Sequence, residues 1–194
     1  MLQEPLHSVI IGNLLGDGCL SANGRHWRLR LDHSAKASEY IWWKYEMLKP
    51  IAAATPRLIT VFDRRTQKVY EHLRFDTLSL PELDWYAHQF LDKGRRCVPS
   101  NIQHLLSELA LAVWYMDDGH RRTDCNALRI NTHAFTYEEN QRLVDALSSR
   151  FGIQARLHHV VKAQWVLYIP STEANRFCEL IRRYVPPSMG YKLL

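Results

Sequence analysis

The sequence is poor in cysteine and contains no long apolar run. Its four cysteines form no C-x-x-C pair and lie far apart, at Cys19, Cys97, Cys125 and Cys178. This spacing argues against zinc ribbons and disulfide scaffolds, and it favours a reducing compartment. The longest apolar stretch, LALAVWYM at 109–116, is far too short to cross a bilayer, so no membrane partner is expected.

The N-terminal stretch MLQEPLHSVIIGNLL carries an acid and has no basic flank, so neither a secretion signal nor a transit peptide is expected. We therefore expect an intracellular location, and two remain open: a chloroplast or mitochondrion that itself encodes the protein, or a prokaryotic cytoplasm. The basic excess is mild, because 25 Lys and Arg against 20 Asp and Glu give a net charge of +5. That charge is compatible with a polyanionic partner but does not establish one.

A chain of 194 residues has room for one compact domain or for two small fused halves, and an internal repeat favours the halves. The stretch IIGNLLGDG at 10–18 matches LAVWYMDDG at 111–119 with a constant offset of 101 residues. Asp17 thereby corresponds to Asp118, and Gly18 corresponds to Gly119. A repeat at this spacing predicts two copies of one structural unit.

The elements around the two motifs repeat as well. In each half a motif helix is followed by two strands, a helix, two more strands and a closing helix, because apolar residues alternate in the strand segments and recur at helical spacing in the others. Thr136 and Glu139 predict a capping box at the start of one helix. The predicted helices are 38–48, 80–92, 136–151 and 171–184, and the predicted strands are 25–33, 56–62, 68–77, 127–133, 153–161 and 164–170. We expect an α+β fold of two halves, 1–93 and 101–194, joined by a linker at 94–100.

The first motif helix has an apolar stripe and two glycines, Gly12 and Gly16, on one face. A glycine inside a helix costs about 1 kcal/mol relative to alanine, so two of them call for a packing reason, such as the close approach of a second helix. If the two motif helices pack side by side, Asp17 and Asp118 become neighbours and repel each other unless a cation lies between them. Oxygen ligands of this kind suit Mg²⁺. The alternative is that Gly18 and Gly119 cap their helices and that both acids are polar turn residues. Finding the pattern at equivalent places in both halves favours the metal.

These residues resemble a known family. IIGNLLGDG and LAVWYMDDG resemble the paired motifs of LAGLIDADG homing endonucleases, and the predicted element order is similar to the duplicated αββαββα fold of that family's single-chain members. Further similar stretches are KASEYIWWKYEMLKP, LRFDTLSLPEL, RINTHAFTYEE and VPPSMGYKL. The chain departs from the family pattern at Val113, where a small residue is usual. The resemblance implies a pseudo-two-fold arrangement with both motif helices at the interface and two antiparallel sheets forming a DNA-binding saddle.

The resemblance also implies a set of site residues. Asp17 and Asp118 would bind two or three divalent ions, Mg²⁺ being expected, and the backbone carbonyls of Gly16 and Asp117 are further candidate ligands. The side chain of Asp117 is interpreted as a local turn group or as a neighbour of the metal ligands. Polar residues that order water around the metals would be His33, His133, Lys162 and Lys68. For these four, a structural role or a DNA contact is an equally open interpretation.

The strands carry most of the basic residues that could contact DNA. A strand with one basic face and one apolar face can lie in a major groove, where arginine can read guanine and other basic groups contact phosphate. The alternative for any single residue is an ordinary solvated strand face. The predicted DNA-binding residues are Arg25, Trp27, Arg28, Arg30, Arg57, Arg64, Arg65, Lys68, His72, Arg74, Arg121, Arg122, Arg129, Arg156, His158 and Lys162.

The predicted function is site-specific, metal-dependent hydrolysis of a long duplex target, one strand per motif, giving a staggered double-strand break with short 3′ overhangs, as the resemblance implies. A monomer is expected because one chain supplies both halves. Two alternatives are open: an intron RNA maturase, alone or in a dual role, and a non-catalytic DNA-binding protein of the same fold.

Overall fold

The computed structural model describes residues 1–160 and 164–194. Within these residues, no helix combines the length and the apolar character needed to cross a lipid bilayer.

The first half of the chain alternates helices with pairs of strands. Its elements are α1 (Leu6–Leu15), β1 (Cys19–Asn23), β2 (His26–Ser34), α2 (Ser38–Leu48), β3 (Arg57–Asp63), β4 (Lys68–Asp76) and α3 (Pro81–Phe90). Short 3₁₀ turns at Ala35–Ala37 and Lys49–Ile51 flank α2. The four strands form one antiparallel sheet in the order β1-β2-β4-β3. Two short strands, β5 (Leu91–Asp92) and β6 (Arg95–Arg96), pair with each other just after α3.

The second half repeats this organisation. Its elements are α4 (Ile102–Leu105), α5 (Glu108–Asp118), β7 (Gly119–Arg121), β8 (Leu128–Asn131), α6 (Tyr137–Phe151), β9 (Arg156–His159), β10 (Trp165–Ile169) and α7 (Ser171–Ile181), followed by 3₁₀ turns at Arg182–Tyr184 and Pro187–Lys192. Its antiparallel sheet has the order β7-β8-β10-β9. The strand order of the first sheet therefore recurs in the second, and the predicted α+β fold with two antiparallel sheets is confirmed.

Local sequence signals account for several boundaries. At the start of α6 the Thr136 hydroxyl accepts a hydrogen bond from the Glu139 N–H at 3.2 Å, and Glu139 Oε2 accepts one from the Thr136 N–H at 2.6 Å. The predicted capping box is therefore present. The same helix ends at Gly152, whose φ of +66° places it in the left-handed region that favours glycine.

Three details differ from the sequence prediction. The four-residue helix α4 and the β5–β6 pair were not predicted, because elements this short contain too few residues to show a period. Strand β9 spans Arg156–His159 and begins three residues later than the predicted 153–161, since residues 153–155 connect the end of α6 to the sheet; residue 161 lies outside the described residues.

The motif helices α1 and α5 pack against each other in the centre of the molecule. Residues 8–15 of α1 and 109–116 of α5 are all buried. A helix buried on every side is apolar all round, so the single apolar stripe predicted for α1 is too narrow. The Ser107 hydroxyl caps the N-terminus of α5 by accepting a hydrogen bond from the Ala110 N–H at 3.1 Å.

The close contact between α1 and α5 depends on residues that correspond in the repeat. A Cβ added at Gly12 would lie 2.5 Å from the Ala110 carbonyl oxygen and 2.6 Å from Val113 Cβ, and Val113 is the counterpart of Gly12 in the second motif. A Cβ at Gly16 would lie 2.4 Å from Oδ2 of its own counterpart, Asp117. Equivalent positions therefore face each other, as they do across a two-fold axis. The bulk of Val113 is accommodated because Gly12 lies opposite it.

Candidate active site and nucleic-acid interface

The two corresponding acids lie at the same end of the paired helices. Asp118 is the last residue of α5, and Asp17 follows α1 between two glycines. Burial raises the pKa of Asp118 to about 7, and the negative charges of Asp17 and Asp117 add to the effect. Burial and the charge of Asp117 also raise the pKa of Asp17. The positive side chains of the protein therefore do not fully compensate the charges of the two acids, and a divalent cation would relieve their repulsion.

Asp117 does not form a local turn, contrary to one interpretation of the sequence. Its side chain is fully buried, and Oδ1 accepts hydrogen bonds from Lys44 Nζ at 2.6 Å and from the Tyr40 hydroxyl at 2.7 Å. Oδ2 accepts a hydrogen bond from the backbone N–H of Asp17 at 3.0 Å. Lys44 and the other neighbouring donors keep the pKa of Asp117 below its usual value despite its burial. The carboxylate is therefore an ionised internal group that contacts the first half.

Two basic side chains contact the carbonyls that were predicted as metal ligands. Arg96 Nη1 donates a hydrogen bond to the Gly16 carbonyl. Lys192 Nζ donates to the carbonyls of Met116 at 2.5 Å and Asp117 at 3.3 Å. Sequence reasoning missed both cations. The only available signals were the GRRC stretch in the linker and the family-like VPPSMGYKL stretch near residue 194.

His33 lies beside the first acid, where the sequence predicted it. Its Nε2 is 2.9 Å from Lys44 Nζ, and its Nδ1 is 3.8 Å from Asp17 Oδ2. Burial and the Lys44 charge lower the pKa of His33 to about 4, so the ring is neutral near neutral pH. Because Nε2 accepts the hydrogen bond from Lys44, the ring proton is assigned to Nδ1, which faces Asp17. Asp17, His33 and Asp117 together offer donor atoms within 4.8 Å of one another.

The second half does not reproduce this histidine. Arg30 pairs with Cys19 in the first sheet, and Arg129 pairs with His120 in the second, so the strand registers make Thr132 the counterpart of His33. Thr132 is buried and donates a hydrogen bond to the Trp165 carbonyl at 3.2 Å. His133 lies in the exposed turn after β8. His133, a predicted water-ordering residue, therefore does not occupy the position that corresponds to His33.

The two lysines predicted near the metals have different outcomes. Lys68 pairs with Asp63 at the tip of the β3–β4 hairpin, whereas Leu73 is the strand partner of His33. Five residues of strand separate Lys68 from Leu73, which corresponds to about 17 Å. Lys68 is therefore corrected from a catalytic candidate to a surface position on the first sheet. Lys162 lies outside the described residues.

One face of the first sheet gathers most of the basic residues predicted there. Directly opposed residues in an antiparallel sheet project to the same side, and the register opposes Arg30 to Asp76, Asp32 to Arg74 and Arg57 to Arg74. The residues that share this face are Arg28, Arg30, Arg57, Lys68, His72 and Arg74. The remaining predicted basic residues of this half, Arg25, Arg64 and Arg65, lie in the exposed hairpin turns.

Two carboxylates on the same face orient these cations. Asp32 accepts hydrogen bonds from His72 Nδ1 at 2.6 Å and Arg74 Nε at 2.8 Å. Asp76 accepts one from Arg30 Nε at 2.8 Å. The acids reduce the net positive charge of the surface, and they fix the directions of the guanidinium groups before any ligand binds.

Among the residues that the structure describes, the second sheet has a smaller basic face than the first. Arg129 lies opposite His120 and Tyr168, and Arg156 also lies opposite Tyr168. The His158 ring stacks on Tyr168 with centroids 4.2 Å apart. His120 was not among the predicted residues, although its alternation with Arg121 on the strand could have suggested it. Arg122 forms an ion pair with Asp124 at the end of this face.

Two predicted DNA contacts require correction. Trp27 alternates with Arg28 on β2 and packs against the hydrophobic core, so it lies on the side away from the basic face. Arg121 alternates with His120 and pairs with Leu128, which is buried in the core. The register therefore directs Arg121 to the opposite side of the second sheet from Arg129.

The chain matches known proteins over nearly its whole length. Residues 7–177 match the LAGLIDADG DNA endonuclease family. DNA endonuclease I-ChuI from Chlamydomonas applanata is 32% identical over 208 residues, covering 99% of this chain and 95% of that protein. Cytochrome b mRNA maturase bI2 from Saccharomyces cerevisiae is 26% identical over 96% of this chain, which spans 46% of that protein.

The fold matches a solved complex with DNA. The homing endonuclease I-WcaI bound to its DNA recognition sequence aligns with a TM-score of 0.90 and 25% identity, covering 100% of this chain and 88% of that one. Together with the family match over residues 7–177, this similarity extends from the paired motif helices to both sheets. The chain therefore belongs to the LAGLIDADG DNA endonuclease family, the family of the DNA-binding homing endonucleases.

Proposed function

We propose that this protein is a site-specific homing endonuclease that makes a metal-dependent, staggered double-strand break in a long duplex DNA target. The observation that carries the proposal is the pairing of Asp17 and Asp118 at one end of two packed helices, where both carboxyl groups have raised pKa values. Two such acids at corresponding positions are suited to the hydrolysis of one strand each.

The donor atoms fit divalent metal. Asp17 and Asp118 would hold the ions, and hard oxygen ligands of this type suit Mg²⁺. When bound, the ions would activate water and stabilise the leaving oxygen. The carbonyls of Gly16 and Asp117 already accept hydrogen bonds from Arg96 and Lys192. A metal ion bound to these carbonyls would share them with the two side chains or replace the side chains.

The protein's own groups contribute positive charge and a proton donor to the site. Arg96 and Lys192 bring cationic charge next to the acids, where a scissile phosphate would bind. His33, neutral and buried to 10% exposure, presents Nδ1–H towards Asp17 and can orient a water molecule. Burial lowers the pKa of Lys192, and the negative charges of Asp117, Asp118 and Asp17 oppose that effect.

The basic faces of the two sheets would bind the duplex on either side of the paired acids. Arginines fixed by Asp32 and Asp76 can present their guanidinium forks to guanine, and the residues of the hairpin turns can contact phosphate. We propose that one chain acts as a monomer because it supplies both acids and both sheets. An organelle or a prokaryotic cytoplasm is the proposed location.

The test is cleavage of a duplex carrying the uninterrupted form of the locus in which the coding sequence lies. Supercoiled plasmid with this site should become linear with Mg²⁺ and stay supercoiled with EDTA. Asp17→Asn and Asp118→Asn should each abolish the linear product, because each removes the charge of one acid. Full double-strand cleavage by either variant would refute the assignment, and an unchanged rate in EDTA would refute the metal requirement.

A second candidate function is assistance to intron splicing, because the chain is similar to an mRNA maturase over 96% of its length. A basic sheet can bind structured RNA through its phosphates and 2′-hydroxyls. Binding to the host intron RNA more tightly than to the cognate duplex, together with accelerated splicing in vitro, would favour this function. The two activities can coexist, so both assays should use the same preparation.

A further inference from the structure

The side chain of Asp117 belongs to the site of the other motif. Within the described part of the chain, its three hydrogen-bond partners are the backbone N–H of Asp17, the Lys44 ammonium group and the Tyr40 hydroxyl. All three lie in the first half of the chain, between 73 and 100 residues away in sequence. The carboxylate therefore contacts the site of Asp17, although its sequence neighbour is Asp118.

The backbones of the two catalytic acids are held in different ways. Asp118 is the last residue of α5, so its backbone continues the helix. Asp17 follows the end of α1 by two residues and lies in a turn. The N–H groups of its neighbours Gly16 and Gly18 donate to the α1 carbonyls of Gly12 and Asn13. The Asp17 N–H instead donates to Asp117 Oδ2 at 3.0 Å, which anchors the first acid across the helix interface.

Gly16 and Asp117 are complementary in shape. A Cβ at position 16 would lie 2.4 Å from Asp117 Oδ2 and 2.6 Å from Asp117 Cβ, closer than non-bonded atoms approach. A side chain at position 16 and a carboxylate at position 117 therefore exclude each other. Because glycine has no side chain, no reciprocal contact can run from position 16 to the backbone of Asp118.

The anchoring carboxylate is itself rigidly held. Asp117 and Lys44 are both fully buried and form an ion pair at 2.6 Å. A buried carboxylate is tolerated only with charge compensation and full hydrogen bonding, and Lys44, Tyr40 and the Asp17 N–H satisfy it. Lys44 also donates to His33 Nε2 at 2.9 Å. The same lysine thereby connects the anchor to the ring beside Asp17.

We infer that Asp117 is a positioning residue for the first active site: with Lys44 and Tyr40, it fixes the backbone of Asp17 from across the interface. The two active sites are therefore unequal, and loss of Asp117 should slow the cleavage of one strand more than the other. This inference rests on the proposed endonuclease function, because it assigns Asp117 a part in the hydrolysis of one strand.

The experiment measures the cleavage of each strand separately, under single-turnover conditions with Mg²⁺, on the cognate duplex labelled at either 5′ end. Arg96→Ala and Lys192→Ala serve as references, because Arg96 contacts the first motif and Lys192 the second. Asp117→Asn should change the ratio of the two strand rates about tenfold, because small misplacements of catalytic groups reduce rates by this much or more. The change should have the same direction as the change that Arg96→Ala produces.

A second variant distinguishes a loss of positioning from a loss of folding. Tyr40→Phe removes one hydrogen bond to Asp117 and keeps the ring, so it should shift the ratio in the same direction by about threefold. Glu46→Gln makes the same acid-to-amide change as Asp117→Asn at an exposed position on α2, and it should leave the ratio unchanged. Thermal melts of all variants show which remain folded, and strand ratios are compared among the folded fractions.

The possible outcomes separate the two proposals. A wild-type protein that cleaves neither strand refutes the proposed function. An active wild type whose strand ratio is unaffected by Asp117→Asn and Tyr40→Phe overturns the positioning role. The positioning role is also overturned if Asp117→Asn changes the ratio of the two strand rates in the same direction as Lys192→Ala does, or in a direction that differs from the change in Arg96→Ala. An equal slowing of both strands indicates that Asp117 only stabilises the interface, and it counts against the inference.

Discussion

Replacing Gly12 with alanine should destabilise the protein, although alanine is the better helix former. The added methyl carbon would lie 2.5 Å from the Ala110 carbonyl oxygen and 2.6 Å from Val113 Cβ, whereas carbon atoms in contact prefer about 3.5–4.0 Å. Both obstructing atoms are rigid, being a backbone oxygen and a Cβ inside a helix. No rotamer change can make room, so α1 and α5 must move apart by about 1 Å.

The expected loss follows from two opposing terms. Overpacking a close-packed core costs about 1–3 kcal/mol, and the upper end applies here because α1 and α5 are buried on all sides. The higher helix propensity of alanine opposes this loss and stabilises the helix by about 1 kcal/mol relative to glycine. The net destabilisation is therefore about 2 kcal/mol, which lowers the Tm of a chain this size by about 4–8 °C.

The assay is urea unfolding followed by tryptophan fluorescence, together with a thermal melt. Gly190→Ala is the matched control, because a Cβ at Gly190 meets no atom within 4 Å. That change should leave stability unaltered or raise it by up to about 1 kcal/mol through the unfolded chain. A Gly12→Ala protein as stable as the wild type would refute the close helix contact, provided that the urea m-value is unchanged.

The remaining predictions concern the basic surface and the linker. Arg156→Ala should weaken binding to any duplex. It should also reduce the slope of the logarithm of the association constant against the logarithm of the salt concentration by about the amount that one phosphate contact contributes. Arg183→Ala should change neither quantity, because Arg183 pairs with Glu108 at the opposite end of α5 from the acids; equal slopes for both variants would contradict the DNA-facing assignment. Glu139→Gln should cost about 1–3 kcal/mol in urea, because it weakens charged hydrogen bonds to Arg95 and the capping box. These contacts lower the pKa of Glu139 below 4.5, so their stabilisation is complete above pH 4.5 and is lost as the pH falls through the folded-state pKa. The free energy of unfolding should therefore fall less steeply with decreasing pH in Glu139→Gln than in the wild type, and equal slopes would contradict this.

Short-range patterns in the sequence were sufficient to predict most of the elements. The capping box of Thr136 and Glu139 involves residues three positions apart, and strand alternation involves residues two apart, so both are visible in the sequence. The repeat then supplied the long-range information, because two copies of one motif imply one packing arrangement. The α+β order of elements followed from these signals together, and the two antiparallel sheets, which the family resemblance implied, are present.

The site was only partly predictable because its remaining members depend on distant contacts. Lys44 and Asp117 are 73 residues apart, and Lys192 is 75 residues beyond Asp117. Nothing near Lys44 in the sequence distinguishes it from the exposed Lys49 on the following turn. The position of His133 could not be predicted for a related reason. The β-hairpins that follow the two motifs differ in length, which shifts the numbering, and only the strand register identifies Thr132 as the counterpart of His33.

The asymmetry at the helix interface follows from the fusion of two halves in one chain. In a symmetric dimer, positions that meet across the two-fold axis must carry the same residue. Two aspartates in place of Gly16 and Asp117 would bring two buried carboxylates together, whereas two glycines would leave a void and no anchor. A single chain can place glycine on one side and aspartate on the other, as it also does with Gly12 and Val113. The additional acid of the motif LAVWYMDDG, Asp117, is therefore tied to the missing side chain of Gly16.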